Sequence, residues 1–178
     1  WRWVAFWPGC TQVSGIGWSV NKYGDGRAFV SACIARQLES IDRAAIVIFS
    51  SDRGLAGAFN TNVLREAGEL AARLRGQGKE VVHYLVGRKA VGYFAFRKRD
   101  SERIWTGGTD APEFEIAKEI GDALVEKFIQ SSDEGGVDEI HIVYNRFVSM
   151  LLQVPEVVRL LPLEIVEGVE APESTDVL

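Results

Sequence analysis

Three short apolar runs rich in β-branched residues, AAIVIFS at 44–50, EVVHYLVG at 80–87 and VDEIHIVYNRF at 137–147, constrain this chain most. Each is too short for a helix of its own, and a continuous apolar run of this kind suits a strand buried on both faces. Between them the spacing changes. Val63, Leu64, Ala67, Leu70, Ala71 and Leu74 fall on one face of a helix that opens at Asn60 or Thr61, either a competent N-cap, and ends at Gly76 and Gly78. RKAVGYFAF predicts a short helix or turn, and RIWTGG a short strand. An Asp110/Glu113 capping box with Pro112 in the first turn predicts a further helix, with Ile116, Ala117, Ile120, Leu124 and Phe128 inward. The segment after residue 147 predicts a turn and a returning strand, which Pro155 and Pro162 restrict to an edge. Strand alternating with helix argues for parallel pairing through right-handed crossovers. The expected fold is therefore α/β, a Rossmann-like three-layer sandwich with a mostly parallel sheet and a C-terminal antiparallel hairpin.

Composition narrows the function. The 178 residues carry 47% hydrophobic side chains, enough for a sizeable core. Lys and Arg number 20 against 25 Asp and Glu, and the basic residues are scattered, so no stripe is available to neutralise nucleic-acid phosphates. No apolar run approaches the ~18 residues a membrane span needs. Cys10 and Cys33 have neither zinc-ligand neighbours nor a disulfide framework and read as free thiols, and the residues before Cys10 lack a lipidation pattern. Residues 27–42 carry a helical stripe through Phe29, Val30, Cys33, Ile34, Leu38 and Ile41. Before it, the Trp- and Gly-rich stretch 1–26 shows little periodicity, and the acidic tail 169–178 is expected to be disordered.

The loop SSDRGLAGAFN, residues 50–60, stands where a strand turns into a helix, a place that cradles phosphates in many α/β proteins. Its glycines are spaced G-x-x-G, short of the dinucleotide fingerprint, and no lysine follows them as a P-loop requires. The residues favour a structural turn. Gly54 supplies a positive φ, Gly57 and Ala58 let the helix start lie close to the sheet, Asn60 caps it, and Asp52 accepts turn amides or pairs with Arg53. A stand-alone nucleotide-binding enzyme using residues 52–57 is the alternative. His83 and His141 lie inside strands and read as packing residues. The acidic pairs Asp133–Glu134 and Asp138–Glu139 and the basic run FRKRD read as solvated. No catalytic, cofactor or metal site is assigned, and no G-x-S-x-G elbow is present.

Ser51, Asp52, Arg53, Gly54 and Leu55, followed by Gly57 and Asn60, together with VGRKAVGYF, IWTGG and DEIHIVYNRFVSMLLQVPEVVRLLPLEIVE, closely resemble the central domain of the gamma subunit of the rotary F-type ATP synthase, in its actinobacterial form. The likeness runs over about residues 41–168, with Ala56 where many relatives have Cys. It implies a non-catalytic central-stalk role that couples proton flow to ATP synthesis by rotation. The partners it implies are the epsilon subunit, the rotor c-ring and the alpha and beta subunits. It also implies no cofactor and a peripheral place on the cytoplasmic face of the cell membrane, reached only through partners. The family has a long helix at each end, whereas residues 1–40 are atypical and the chain closes in an acidic tail, so a fragment is expected.

Overall fold

The computed structural model describes residues 4–5, 16–17, 42–54, 58–109, 111–130, 134–149 and 152–163. Two short strands, β1 (Val4–Ala5) and β2 (Ile16–Gly17), pair antiparallel. The helical stripe expected over residues 27–42 and the acidic tail lie outside the described residues, Asp42 excepted. The main sheet takes β3 (Arg43–Phe49), β4 (Glu80–Val86), β5 (Arg103–Trp105), β6 (Glu139–Phe147) and β7 (Gln153–Leu161) in the order β5-β4-β3-β6-β7. Pairing is parallel throughout except between β6 and β7.

Helix α1 (Phe59–Gly76) joins β3 to β4, α2 (Arg88–Phe96) joins β4 to β5, and α3 (Phe114–Ile129) returns across the sheet to β6. Alternation along β3 divides the core in two. Ala44, Ile46 and Ile48 meet Val63, Ala67, Leu70, Ala71 and Leu74 of α1 and Ala90 and Phe94 of α2. Ala45 and Val47 meet Ile120, Ala123, Leu124 and Phe128 of α3. Because β3 is buried on both faces, its sequence is apolar without alternation, and helices cover the sheet on each side. The three-layer expectation is met, with β7 as the antiparallel edge. Each buried Leu or Ile in these layers stabilises the fold by about 1.5–3 kcal/mol relative to exposure.

Three local expectations are corrected. Helix α3 starts at Phe114 behind Glu113, with no side-chain cap, so Pro112 precedes the helix; Asp110 lies outside the described residues. Ala117 is exposed and Ala123 takes its place inward. Asp138 and Glu139 are buried, at 1% and 3% exposure. The Asp138 carboxylate accepts the Asp42 and Arg43 amides at 3.0 and 2.9 Å, which pins the start of β3 against β6. Glu139 accepts Lys79 Nζ at 2.8 Å, and His141 Nε2 lies 3.4 Å from the same oxygen. Burial works against the Glu139 charge, but His141 and Lys79 hold its pKa below the ordinary value. Glu134 is exposed, and Asp133 lies outside the described residues.

Gly68 sits inside α1 with nothing within 4 Å of where a Cβ would stand. A helical glycine costs backbone entropy, so Gly68→Ala is expected to raise stability by about 0.5–1 kcal/mol. An increase in the urea midpoint checks it; an unchanged or lower midpoint contradicts the stated packing.

Candidate functional site

The carboxyl ends of β3 and β6 mark the point where successive connections leave the sheet in opposite directions, the usual ligand crevice of a doubly wound sheet. The loop after β3 stands there, and its first residues reach across to α2. Ser50 is buried; its Oγ donates to Val86 O and accepts the Ala90 amide, both at 2.9 Å. Ser51 O accepts the Lys89 amide at 3.1 Å, and Asp52 Oδ1 accepts the Arg88 amide at 3.0 Å. Three consecutive residues of one loop therefore satisfy the first three amides of a neighbouring helix, groups that no residue within that helix can serve.

That helix could not cap itself, since its N-cap is Gly87, which has no side chain. Gly87 lies at φ 93° and ψ 143°, a region essentially restricted to glycine. A Cβ there would stand 2.2 Å from Ser50 O. The close approach of the two loops depends on this glycine.

Asp52 extends the tie to the third loop. Its Oδ2 accepts the amides of Gly107 and Thr109 at 3.0 Å each and the Thr109 hydroxyl at 2.8 Å. The Asp52 amide donates to Thr109 Oγ1 at 2.8 Å. Burial tends to raise the Asp52 pKa, but the donors from Thr109, Gly107 and Arg88 outweigh it and bring it down to about 2. One carboxylate joins the loops that follow β3, β4 and β5.

The other motif residues divide. Asn60 does not cap α1, which begins at Phe59 behind Ala58 with no side-chain cap. Its Oδ1 instead accepts the Ser51 amide and its Nδ2 donates to Ser51 Oγ, each at 2.9 Å, while Ser51 Oγ donates to Arg53 O at 2.7 Å. Gly54 is not at positive φ, so the left-handed residue this turn region needs is Gly87. Arg53 and Gly54 are exposed, and Leu55 and Gly57 lie outside the described residues. Sequence reasoning missed Ser50, Gly87, Gly107 and Thr109; a helix pattern opening on Gly87, with no capping side chain, was the available signal.

The histidines differ: His83 packs against an aromatic ring, and His141 stands beside a buried carboxylate. His83 is buried with its ring edge-on to Phe94 at 5.0 Å. Burial, with Arg75 and Arg99 adding to it, lowers its pKa to about 4, so it is neutral near pH 7. His141 is buried beside Glu139. Among the described residues no cluster of His, Cys, Asp and Glu is suited to a metal, and no helix is long and apolar enough to cross a membrane.

The family model described as ATP synthase matches residues 20–177. The ATP synthase gamma chain of Clavibacter sepedonicus is 70% identical over 149 residues, 84% of this chain and 50% of that protein. The chain belongs to the ATP synthase gamma-chain family. The gamma chain of Leifsonia xyli is 66% identical over the same length. This gamma-chain sequence spans about half the length of the curated relatives it matches. A chain from the central stalk and c-ring of the Tetrahymena thermophila mitochondrial ATP synthase superposes with a TM-score of 0.55 at 21% identity, over 78% of this chain and 60% of that one. That likeness is one of fold.

Two outcomes are expected at this site. Asp52→Ala leaves part-exposed donors without their acceptor, with water taking its place in part, and should cost about 0.5–1.5 kcal/mol in denaturant unfolding. Because the folded pKa is depressed, the carboxylate's contribution is complete above about pH 3.8 and fades as pH falls toward 2. The difference in stability between wild type and Asp52→Ala should therefore shrink over that window and not above it. Gly87→Ala should cost about 2–4 kcal/mol, from the backbone region and the contact with Ser50 together.

Proposed function

We propose that this chain supplies the central α/β domain, over residues 41–168, of an ATP synthase gamma chain. In this reading the domain is a non-catalytic part of the central stalk and turns with it, so that proton flow drives ATP synthesis at sites on other subunits. The observation that carries the proposal is the family match over residues 20–177, supported by relatives named gamma chain at 70% and 66% identity. The partners are the epsilon subunit, the c-ring and the alpha and beta subunits. The membrane is met only through them, on the cytoplasmic face.

The geometry at the switch point supports the non-catalytic part of this reading. A nucleotide-binding enzyme of this fold would present helix N-terminal amides to phosphate. In α2 the first three amides already donate to Asp52, Ser51 and Ser50. Within the family motif, Ser51, Asp52 and Asn60 serve as a structural tie.

Co-expression with the epsilon subunit of an actinobacterial ATP synthase is expected to give a complex that elutes as one species, with no ATP hydrolysis and no heat on titration with ATP or ADP. Micromolar nucleotide binding that disappears in Asp52→Ala would instead establish the enzyme reading, and absence of any epsilon association would remove the stalk assignment.

A further inference from the structure

Both helices on one face of the sheet end in the same hydrogen-bonded turn at the end opposite Asp52, but with different residues at its left-handed position. In α1 the Gly78 amide donates to Arg75 O at 2.9 Å and the Lys79 amide to Leu74 O at 3.2 Å, with Gly78 at φ 86°. In α2 the Lys98 amide donates to Ala95 O at 3.1 Å and the Arg99 amide to Phe94 O at 3.0 Å, with Lys98 at φ 51°. This is the Schellman arrangement, in which glycine is the residue of least cost. Lys98 is the only non-glycine at positive φ among the described residues. The backbone cost it carries, about 1 kcal/mol, is avoided in α1.

The side chains around Lys98 share one character. Arg97 lies with its guanidinium 4.8 Å over the Tyr93 ring. Arg75 from α1 and Arg99 both lie close enough to lower the pKa of His83 beneath them. Arg75, Arg97, Lys98 and Arg99 are exposed, and none forms an ion pair among the described residues. Of the nearby acids, Glu102 is engaged by Lys127 at 3.2 Å, and Asp100 is exposed. Phe96 stands beside them at 87% exposure, the most exposed large apolar side chain described.

We infer that Arg75, Phe96, Arg97, Lys98 and Arg99 form a docking surface for a partner protein that presents carboxylates around an apolar notch. Three of the four cations are arginines, whose planar forks match carboxylates bidentately, and an exposed aromatic among arginines is the composition of an interface hot spot. Charge complementarity selects the partner class. The chain as a whole carries a net charge of −5, which disfavours an anionic bilayer, whereas a protein that presents a few carboxylates at one place can pair with these four cations locally.

The test uses the full chain and three variants, Lys98→Gly, Phe96→Ser and the pair Arg97→Glu with Arg99→Glu. The probes are a helical peptide of Glu-Glu-Leu-Glu repeats, an all-Glu peptide, and phosphatidylglycerol vesicles. The Glu/Leu peptide should bind in a salt-dependent way, more tightly than the all-Glu peptide and the vesicles. The double charge reversal should weaken it at least tenfold, and Phe96→Ser should weaken it several-fold and erase the preference over all-Glu. Lys98→Gly should weaken binding several-fold while raising the thermal midpoint by about 2–4 °C, because glycine relieves the left-handed residue. A purely structural turn predicts the rise in midpoint without the loss of binding. Peptide affinity unchanged in all three variants overturns the proposal, and tighter binding to vesicles, lost in the charge reversal, replaces the protein partner with a membrane surface. Zero-length carbodiimide coupling of the chain to the Glu/Leu peptide should link through Lys98; coupling only at other lysines contradicts the surface.

Discussion

The trans-capping of α2 by Ser50, Ser51 and Asp52 is the interaction on which the carboxyl end of the sheet depends. A helix N-terminus leaves amides that must find acceptors. Here the acceptors come from a loop that follows a different strand, so α2 is complete only when β3 and β4 are already paired in register. Ser50 N and Oγ both donate to Val86 O, and this places the loop at the height of the strand end. Gly87 makes the approach sterically possible, and Asp52 carries the same loop onward to Gly107 and Thr109. Three crossover connections are thus closed by one side chain, and local structure and topology stabilise each other.

The fold was legible because burial on both faces leaves a sequence trace: AAIVIF has no polar alternation, and α1 shows a clean stripe. The site was legible only in part. The string Ser51 to Asn60 marked the right loop, but Asp52 finds its partners 36 to 57 positions away, and such pairings follow from topology rather than from spacing. Asn60 is a competent cap by residue type, yet the nearer Ser51 backbone took its side chain. Asp138 and Glu139 follow a Gly-Gly turn and look solvated, but Asp42, Arg43 and Lys79 converge on them from β3 and from the end of α1. Composition shows charge and not the donors that charge will meet.

The two ends of the sheet are built on different physical terms. At the carboxyl end polar groups are matched within the chain, and the anion that a doubly wound crevice would receive is replaced by Asp52. At the other end the chain keeps buried pairs, Asp138 with backbone amides and Lys79 with Glu139, and there Arg75, Arg97, Lys98 and Arg99 form no ion pair among the described residues. Among the described residues the first amides of α2 at the carboxyl end are already taken by Ser50, Ser51 and Asp52, and the exposed cations of α1 and α2 stand at the helix C-termini.

Helix C-termini are also where that recognition is best supported electrostatically. The last carbonyls of α1 and α2 carry partial negative charge, which favours Arg73 and Arg75 in the last turn of α1 and Arg97, Lys98 and Arg99 after α2. The dipoles hold several like charges near one another at a lower cost than a neutral surface could. A partner that brings carboxylates relieves the remaining repulsion without competing for any bond inside the domain. The domain can therefore hold its polar groups matched within the chain at one end and carry exposed cations at the other.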